Sequence, residues 1–228
     1  MSFMDGILVI DKPQGMTSHD VVDLIRRHFG IKKVGHAGTL DPMATGVLVI
    51  LIGSATKRSQ ELSGEDKEYE ATMTLGARSD TADAWGRLEP SGCKVDFSSE
   101  EIASAFGEFE GEIDQAPPMY SAVKFKGKKL YQLARKGISV ETKQRKVSIK
   151  ELNISGISMP QVSFRLTCSK GTYVRQLCAD IGERLGCGGY LSQLRRTRSG
   201  SFGIDGAIQV DELKCMSAPD IEKRLTGP

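Results

Sequence analysis

His36, Thr39 and Asp41 fall within six residues of one another in VGHAGTLDPMATGVLVILIG (Val34 to Gly53). Small glycines and alanines separate them, and an apolar run, GVLVILIG, follows directly. One carboxylate at the mouth of a buried strand can serve as nucleophile, base or electrostatic anchor for a small reacting group. Pro42 holds Asp41 away from helical geometry, while Gly35 and Gly38 permit tight turns around it. Asp-Pro also opens helices, where the aspartate merely caps, and local evidence does not separate the two roles. His36 by itself suits a turn as readily as a substrate contact.

Two further positions could join this chemistry. In SKGTYVRQL (Ser169 to Leu177) a strand ends, Gly171 turns the chain, and Tyr173 and Arg175 enter the first turn of a helix. An arginine there opposes the positive end of the helix dipole and asks for an anionic partner, such as a buried aspartate. Tyr69 lies on the inward face of an alternating strand. It belongs to the core unless its hydroxyl meets a cleft.

Elements of both periods must position these groups. GILVIDK reads as a strand ending in a Lys-Pro-Gln-Gly turn, and TSHDVVDLIRRHFG as a helix capped by Thr17 or Ser18 and stopped by Gly30. KEYEATMTLG alternates, with Tyr69, Ala71, Met73 and Leu75 on one face. Ser98-x-x-Glu101 is a capping box opening a helix. KLYQLARKG predicts a short basic helix, RKVSIKELNIS and QVSFRLTCS predict strands, and TYVRQLCADIGERLG a helix ended by Gly186. Strands return by turns as well as through helices, so the expected class is α+β with a mixed, mostly antiparallel sheet. No Gly/Ser-rich linker divides the 228 residues, which are expected to form one domain.

Composition narrows the function. No run of eighteen apolar residues appears, and the N-terminal stretch lacks the basic region and cleavage site of a leader, so a cytoplasmic protein is expected. Five cysteines without a CxxC pair read as reduced, mostly buried thiols. Three histidines, none at ligand spacing to a cysteine, make a metal site improbable. Net charge is only +2, yet Ser121 to Lys150 holds ten basic residues and one acid. The rest of the chain has 21 basic and 28 acidic residues, so the asymmetry points to a local polyanion contact.

These segments, taken together, resemble the TruB family of tRNA pseudouridine-55 synthases. The likeness runs through DKPQGMTSHDVV, VGHAGTLDPMATGVLVILIG, KEYEATMTLGARSDTADAWG, QAPPMYSAVKFKGKKLYQLARKG, SKGTYVRQLCADIGERLG and LSQLRRTRSGSF, in the family's order. GHAGTLDPxATGVL combined with GTYVR is highly specific; the Lys-Pro-x-Gly turn alone is weak. The resemblance implies the pseudouridine synthase fold, with central sheet, flanking helices and a basic thumb-like insertion over residues 116–146. It implies that Asp41 is the catalytic aspartate, Tyr69 the aromatic stacked on the flipped uracil, and Arg175 the arginine paired with the carboxylate. Lys12, His36, Tyr173 and Leu194 match positions that line the pocket or contact RNA, and Asp83 falls in a motif behind them. Lys124, Lys126, Lys128, Lys129 and Arg135 fall in the insertion that clamps the RNA arm. Many bacterial members continue into a small C-terminal RNA-binding domain of the PUA type, and this sequence stops sooner.

The chemistry so implied is an isomerisation of uridine 55 in the T loop, on a base flipped out of folded RNA. It needs no cofactor, metal, guide RNA or protein partner, and the expected actor is a monomer. Asp41 could add to C6, attack C1′, or promote C2′ deprotonation toward a glycal; the family's chemistry leans to the last. Two rivals from other classes are a non-catalytic tRNA-binding module and a glycosidic hydrolase. The first has no use for Asp41, Tyr69 and Arg175 together, and the second generally needs two opposed carboxylates. A guide-RNA-dependent synthase shares the aspartate motif but carries larger additions.

Overall fold

A computed structural model describes residues 4–227. The first three residues, part of the stretch searched for a leader, and Pro228 lie outside it. In chain order the first elements are β1 (Gly6–Lys12), α1 (Ser18–Phe29), β2 (Val34–Ala37), β3 (Thr45–Ile52), α2 (Ser59–Ser63) and β4 (Lys67–Leu75). Then come β5 (Ala77–Ser79), β6 (Leu88–Pro90), α3 (Ser99–Gly107), β7 (Gly111–Gln115), β8 (Lys124–Phe125), β9 (Lys128–Lys129) and α4 (Leu130–Ala134). The last are β10 (Arg145–Ser158), β11 (Gln161–Cys168), α5 (Val174–Arg184), β12 (Gly189–Ser199), β13 (Phe202–Gly203), β14 (Ile208–Gln209), α6 (Val210–Cys215) and α7 (Ala218–Arg224). The class is α+β, with mixed, mostly antiparallel strand pairing.

The backbone divides into two compact units, with the division inside β4 after Tyr69 and inside β12 before Leu194. In the first unit β3 pairs antiparallel with β1 and with β2, and β12 joins β3 in parallel at Arg196↔Gly46. Every residue of β3 after Thr45 is buried, which explains a run that is apolar without alternation. Ala37, Val47, Val49 and Leu51 form a core with Ile7, Ala55 and Leu62. Helix α1 begins where the sequence suggests: Thr17 is the cap, with Asp20 closing a capping box, and Gly30 ends it in the left-handed conformation. Its inward residues Val21, Val22 and Ile25 are buried.

In the second unit β11 pairs with β10, and β10 with β7, all antiparallel. Phe106 of α3 meets Phe164 of β11 edge to face at 5.4 Å, a favoured aromatic geometry. Helix α3 has the expected Ser98/Glu101 box. The tail past Ile208 folds as α6 and α7, two short helices that the sequence pattern does not announce. All five cysteines are free; Cys168, Cys178 and Cys187 are buried, Cys93 and Cys215 exposed. Among the described residues no helix is long and apolar enough to cross a membrane.

Candidate active site

Asp41 opens a four-residue turn, with Ala44 N–H donating to the Asp41 carbonyl at 3.0 Å and Pro42 in the second position. No helix begins at Pro42, so the capping role drops out. The turn is tied down from several directions. Gly15 N–H donates to Pro42 O at 2.8 Å. Lys12 Nζ donates to the carbonyls of Pro13 (2.8 Å), Met16 (2.7 Å) and Pro42 (3.5 Å). Ser18 Oγ accepts from Leu40 N–H at 2.8 Å and donates to Leu40 O at 3.1 Å. Gly38 N–H donates to Ser63 Oγ at 3.1 Å, and Arg196 Nη2 to Gly38 O at 3.0 Å. Loops usually move more than the elements they join; a segment with this many backbone bonds presents its carboxylate from a fixed place.

Electrostatics around the turn follow from burial. Burial pushes the Lys12 ammonium down to about 8; the Asp41 carboxylate pulls it back up, and the Arg196 guanidinium adds to the depression. An unfolded chain keeps this proton up to the ordinary 10.5. Between those values the unfolded state therefore binds more protons, and stability rises with pH. Unfolding free energy measured from pH 7 to 11 should show that rise in the wild type and lose it in Lys12→Met. Parallel curves would contradict a buried, depressed lysine.

His36, half-buried on β2 opposite Ile50, is pushed below its ordinary value first by burial and then by the positive charges of Arg196 and His19. Its Nδ1 is buried without a hydrogen-bond partner. Burial and the neighbouring charges both favour the neutral ring. Leu194 is buried, and its carbonyl accepts from Thr45 Oγ1 at 3.4 Å. Tyr69 stands half-buried near the start of β4, on the face it shares with buried Ala71, Met73 and Leu75.

In the second unit Arg175 finds the anion that its place at the start of α5 demands. Its Nε lies 3.6 Å from Asp83 Oδ2, the two side chains being 4% and 10% exposed. Nη1 donates to Thr81 O at 2.7 Å and Nη2 to Tyr120 O at 2.9 Å. Asp83 is in turn held through Oδ1 by the Thr81 hydroxyl (2.7 Å) and by Trp85 N–H (3.0 Å). Tyr173 is the residue that precedes α5; Gln115 grips its backbone on both sides, accepting from N–H at 2.8 Å and donating to O at 3.2 Å. Asp83 is therefore a direct partner of Arg175.

The basic insertion has more structure than its composition suggests. Strands β8 and β9 close a two-residue hairpin through Lys126 and Gly127, both left-handed (φ 46° and 83°), as this turn type requires. Lys124, Lys126, Lys128, Lys129 and Arg135 are all exposed. Lys129 and Arg135 lie 5.7 and 5.4 Å from the Tyr131 ring, while Leu130 and Leu133 anchor the short α4 inward. Among the described residues no group of three or more His, Cys, Asp or Glu side chains could hold a metal ion. Sequence reasoning missed Ser18, Ser63 and Arg196, the polar residues that fasten the Asp41 turn. Only Ser18, beside a cap, carried any local signal.

Comparison of folds finds the chain similar to the crystal structure of a Cbf5-Nop10-Gar1 complex, with TM-score 0.78 and 32% identity, covering 98% of this chain and 60% of that one. It is similar also to an H/ACA RNP bound to a substrate RNA containing 2'-deoxyuridine, with TM-score 0.71, 31% identity and coverage of 93% and 53%. The chain thus spans less than two thirds of these solved chains. The family profiles define the class, a pseudouridylate synthase. The profile of the TruB family pseudouridylate synthase N-terminal domain matches residues 26–174, and that of the tRNA pseudouridylate synthase B C-terminal domain matches 175–225. The tRNA pseudouridine synthase B of Opitutus terrae is 47% identical over 97% of this chain and 92% of its own. That of Alkaliphilus oremlandii is 52% identical over 93% and 71%. The chain belongs to the TruB family of pseudouridylate synthases.

Proposed function

We propose that this synthase isomerises uridine 55 in the T loop of tRNA, with Asp41 as its catalytic carboxylate. The N1–C1′ bond breaks, the detached base turns, C5 bonds to C1′, the C5 proton leaves and N1 gains one. Atoms balance without an oxidant, reductant or cofactor. The observation that carries the reading is the Asp41 turn, one half-buried carboxylate fastened by backbone bonds from Gly38 to Pro42. Relatives named tRNA pseudouridine synthase B support the substrate. Wild-type protein should release one equivalent of tritium from a T-arm hairpin carrying 5-tritiated uridine at the target. An intact label after prolonged incubation would overturn the assignment.

In this reading Tyr69 stacks on the flipped uracil and helps to remove the C5 proton. Lys12, His36, Tyr173 and Leu194 line the pocket or touch the RNA backbone. Arg175, held by Asp83, helps to keep the flipped-out site open. Tyr69→Phe keeps the ring and loses the hydroxyl, so the rate at saturating RNA should drop about 10²-fold, the usual scale of a lost proton transfer. Affinity should change little; equal losses of rate and affinity would contradict the role.

The hairpin and α4 clamp the T arm, and the segment orders against RNA. Each phosphate it neutralises releases counterions, so log affinity falls with log salt by about 0.9 per contact. Replacing Lys126, Lys128 and Lys129 with alanine should flatten that slope by about one to three units. Retention of both affinity and slope would mean another surface holds the RNA. The enzyme acts in the cytoplasm as a monomer, needing neither guide RNA nor protein partner, with residues 1–228 as the catalytic domain.

A further inference from the structure

Arg196 is one of the largest fully buried side chains, 1% exposed, and the chemistry described so far gives it no task. Burying a guanidinium is costly unless its donors are satisfied. Here Nε donates to Val47 O at 2.7 Å and Nη2 to Gly38 O at 3.0 Å. Those carbonyls flank the Asp41 turn. Gly38 leads into it, and Val47 belongs to the rigid strand that follows. A planar fork with fixed spacing between its donors sets the distance between the two, which a flexible ammonium cannot do. The anchor's own backbone is closely packed. Arg196 pairs with Gly46, whose backbone (φ 100°) comes so near that a Cβ there would lie 2.2 Å from Arg196 O.

We propose that Arg196 is a positioning residue for Asp41, acting through the Gly38 peptide to set where the turn stands relative to β3. The proposal rests on the reading of Asp41 as the catalytic carboxylate. Ser63 accepts from the N–H of the same residue, so the peptide groups on both sides of the Gly38 Cα are held. The Arg196 charge also disfavours the protonated forms of His36 and Lys12.

Arg196→Lys keeps the charge and loses the fork; Arg196→Gln keeps donors and loses the charge. Both are measured for melting temperature, for affinity to a T-arm hairpin and for single-turnover rate at saturating RNA. A displacement of about 1 Å costs on the order of 10²-fold, so folded variants should lose roughly 10- to 100-fold in rate with affinity within about threefold. The His36 titration midpoint, followed by NMR, should rise in the Gln variant and stay put in the Lys variant. A rate within twofold of wild type in a folded variant, a loss confined to affinity, or an unmoved His36 midpoint in the Gln variant would each overturn the proposal. Should both fail to fold, Ser63→Ala releases Gly38 from its N–H side and should lower the rate about threefold to tenfold at unchanged affinity. A wild-type rate there would overturn it too. Asp41→Asn run in parallel separates the two ideas. If that variant stays active, the reading of the site fails; if it is dead while the Arg196 variants run normally, only the positioning role fails.

Discussion

Asp41→Asn is expected to reduce single-turnover conversion of the T-arm hairpin by about 10³-fold or more, a barrier increase of roughly 4 kcal/mol at 1.36 kcal/mol per decade. The substitution removes the charge and nucleophilicity of the carboxylate and almost none of its volume. The surrounding turn bonds run through the backbone of residues 38 to 44 and through Lys12, Ser18, Ser63 and Arg196, so they survive. Melting temperature and hairpin affinity should accordingly stay close to wild type. Activity within tenfold of wild type would remove Asp41 from the chemistry.

Arg175→Met is expected to give the largest loss of stability. It strips Asp83 of its partner in a site where both side chains are nearly inaccessible, and it leaves the carbonyls of Thr81 and Tyr120 without those donors. Removing one member of a buried pair costs about 3–5 kcal/mol, because the other stays charged and uncompensated. In a chain of this size each kcal/mol moves the melting temperature by about 2–4 °C, so a fall of roughly 6 to 20 °C should appear in calorimetry. Adding Asp83→Asn removes the stranded charge and should restore part of that loss. The two effects are then non-additive, as expected for residues in contact. A melting temperature within about 2 °C of wild type for the single variant would mean that the pair contributes little.

Much of the local structure is legible in the residues because its causes are local. Helix α1 starts at Thr17 because a hydroxyl satisfies a free N–H, and α3 starts at Ser98 for the same reason. Strand β3 is read from an apolar run that only burial on both faces explains, and β4 from strict alternation. Asp41 is readable too, since Pro42 and the flanking glycines leave the chain few ways to pass it. Strand β12 is not. GYLSQLRRTRS carries three arginines and no clean period of two, so it looks like a polar surface stretch.

Tertiary structure decides what those arginines do. Arg195 pairs with Asp11 at 2.7 Å, Arg198 with Glu68 at 3.0 Å, and Arg196 disappears into the interior. Nothing near Arg196 in sequence marks it as buried, because the carbonyls that satisfy it belong to residues some 150 positions earlier. Arg175 is intermediate. Its place at the start of α5 states that an anion is needed, while the choice of Asp83 depends on the loop carrying Thr81 being folded beside it. By itself, then, the sequence determined which residues are candidates for the chemistry and how the chain starts, turns and stops around them. Only the fold decided which side chains hold Asp41 in place, because desolvation and hydrogen bonding across long stretches of chain act on neighbours in space.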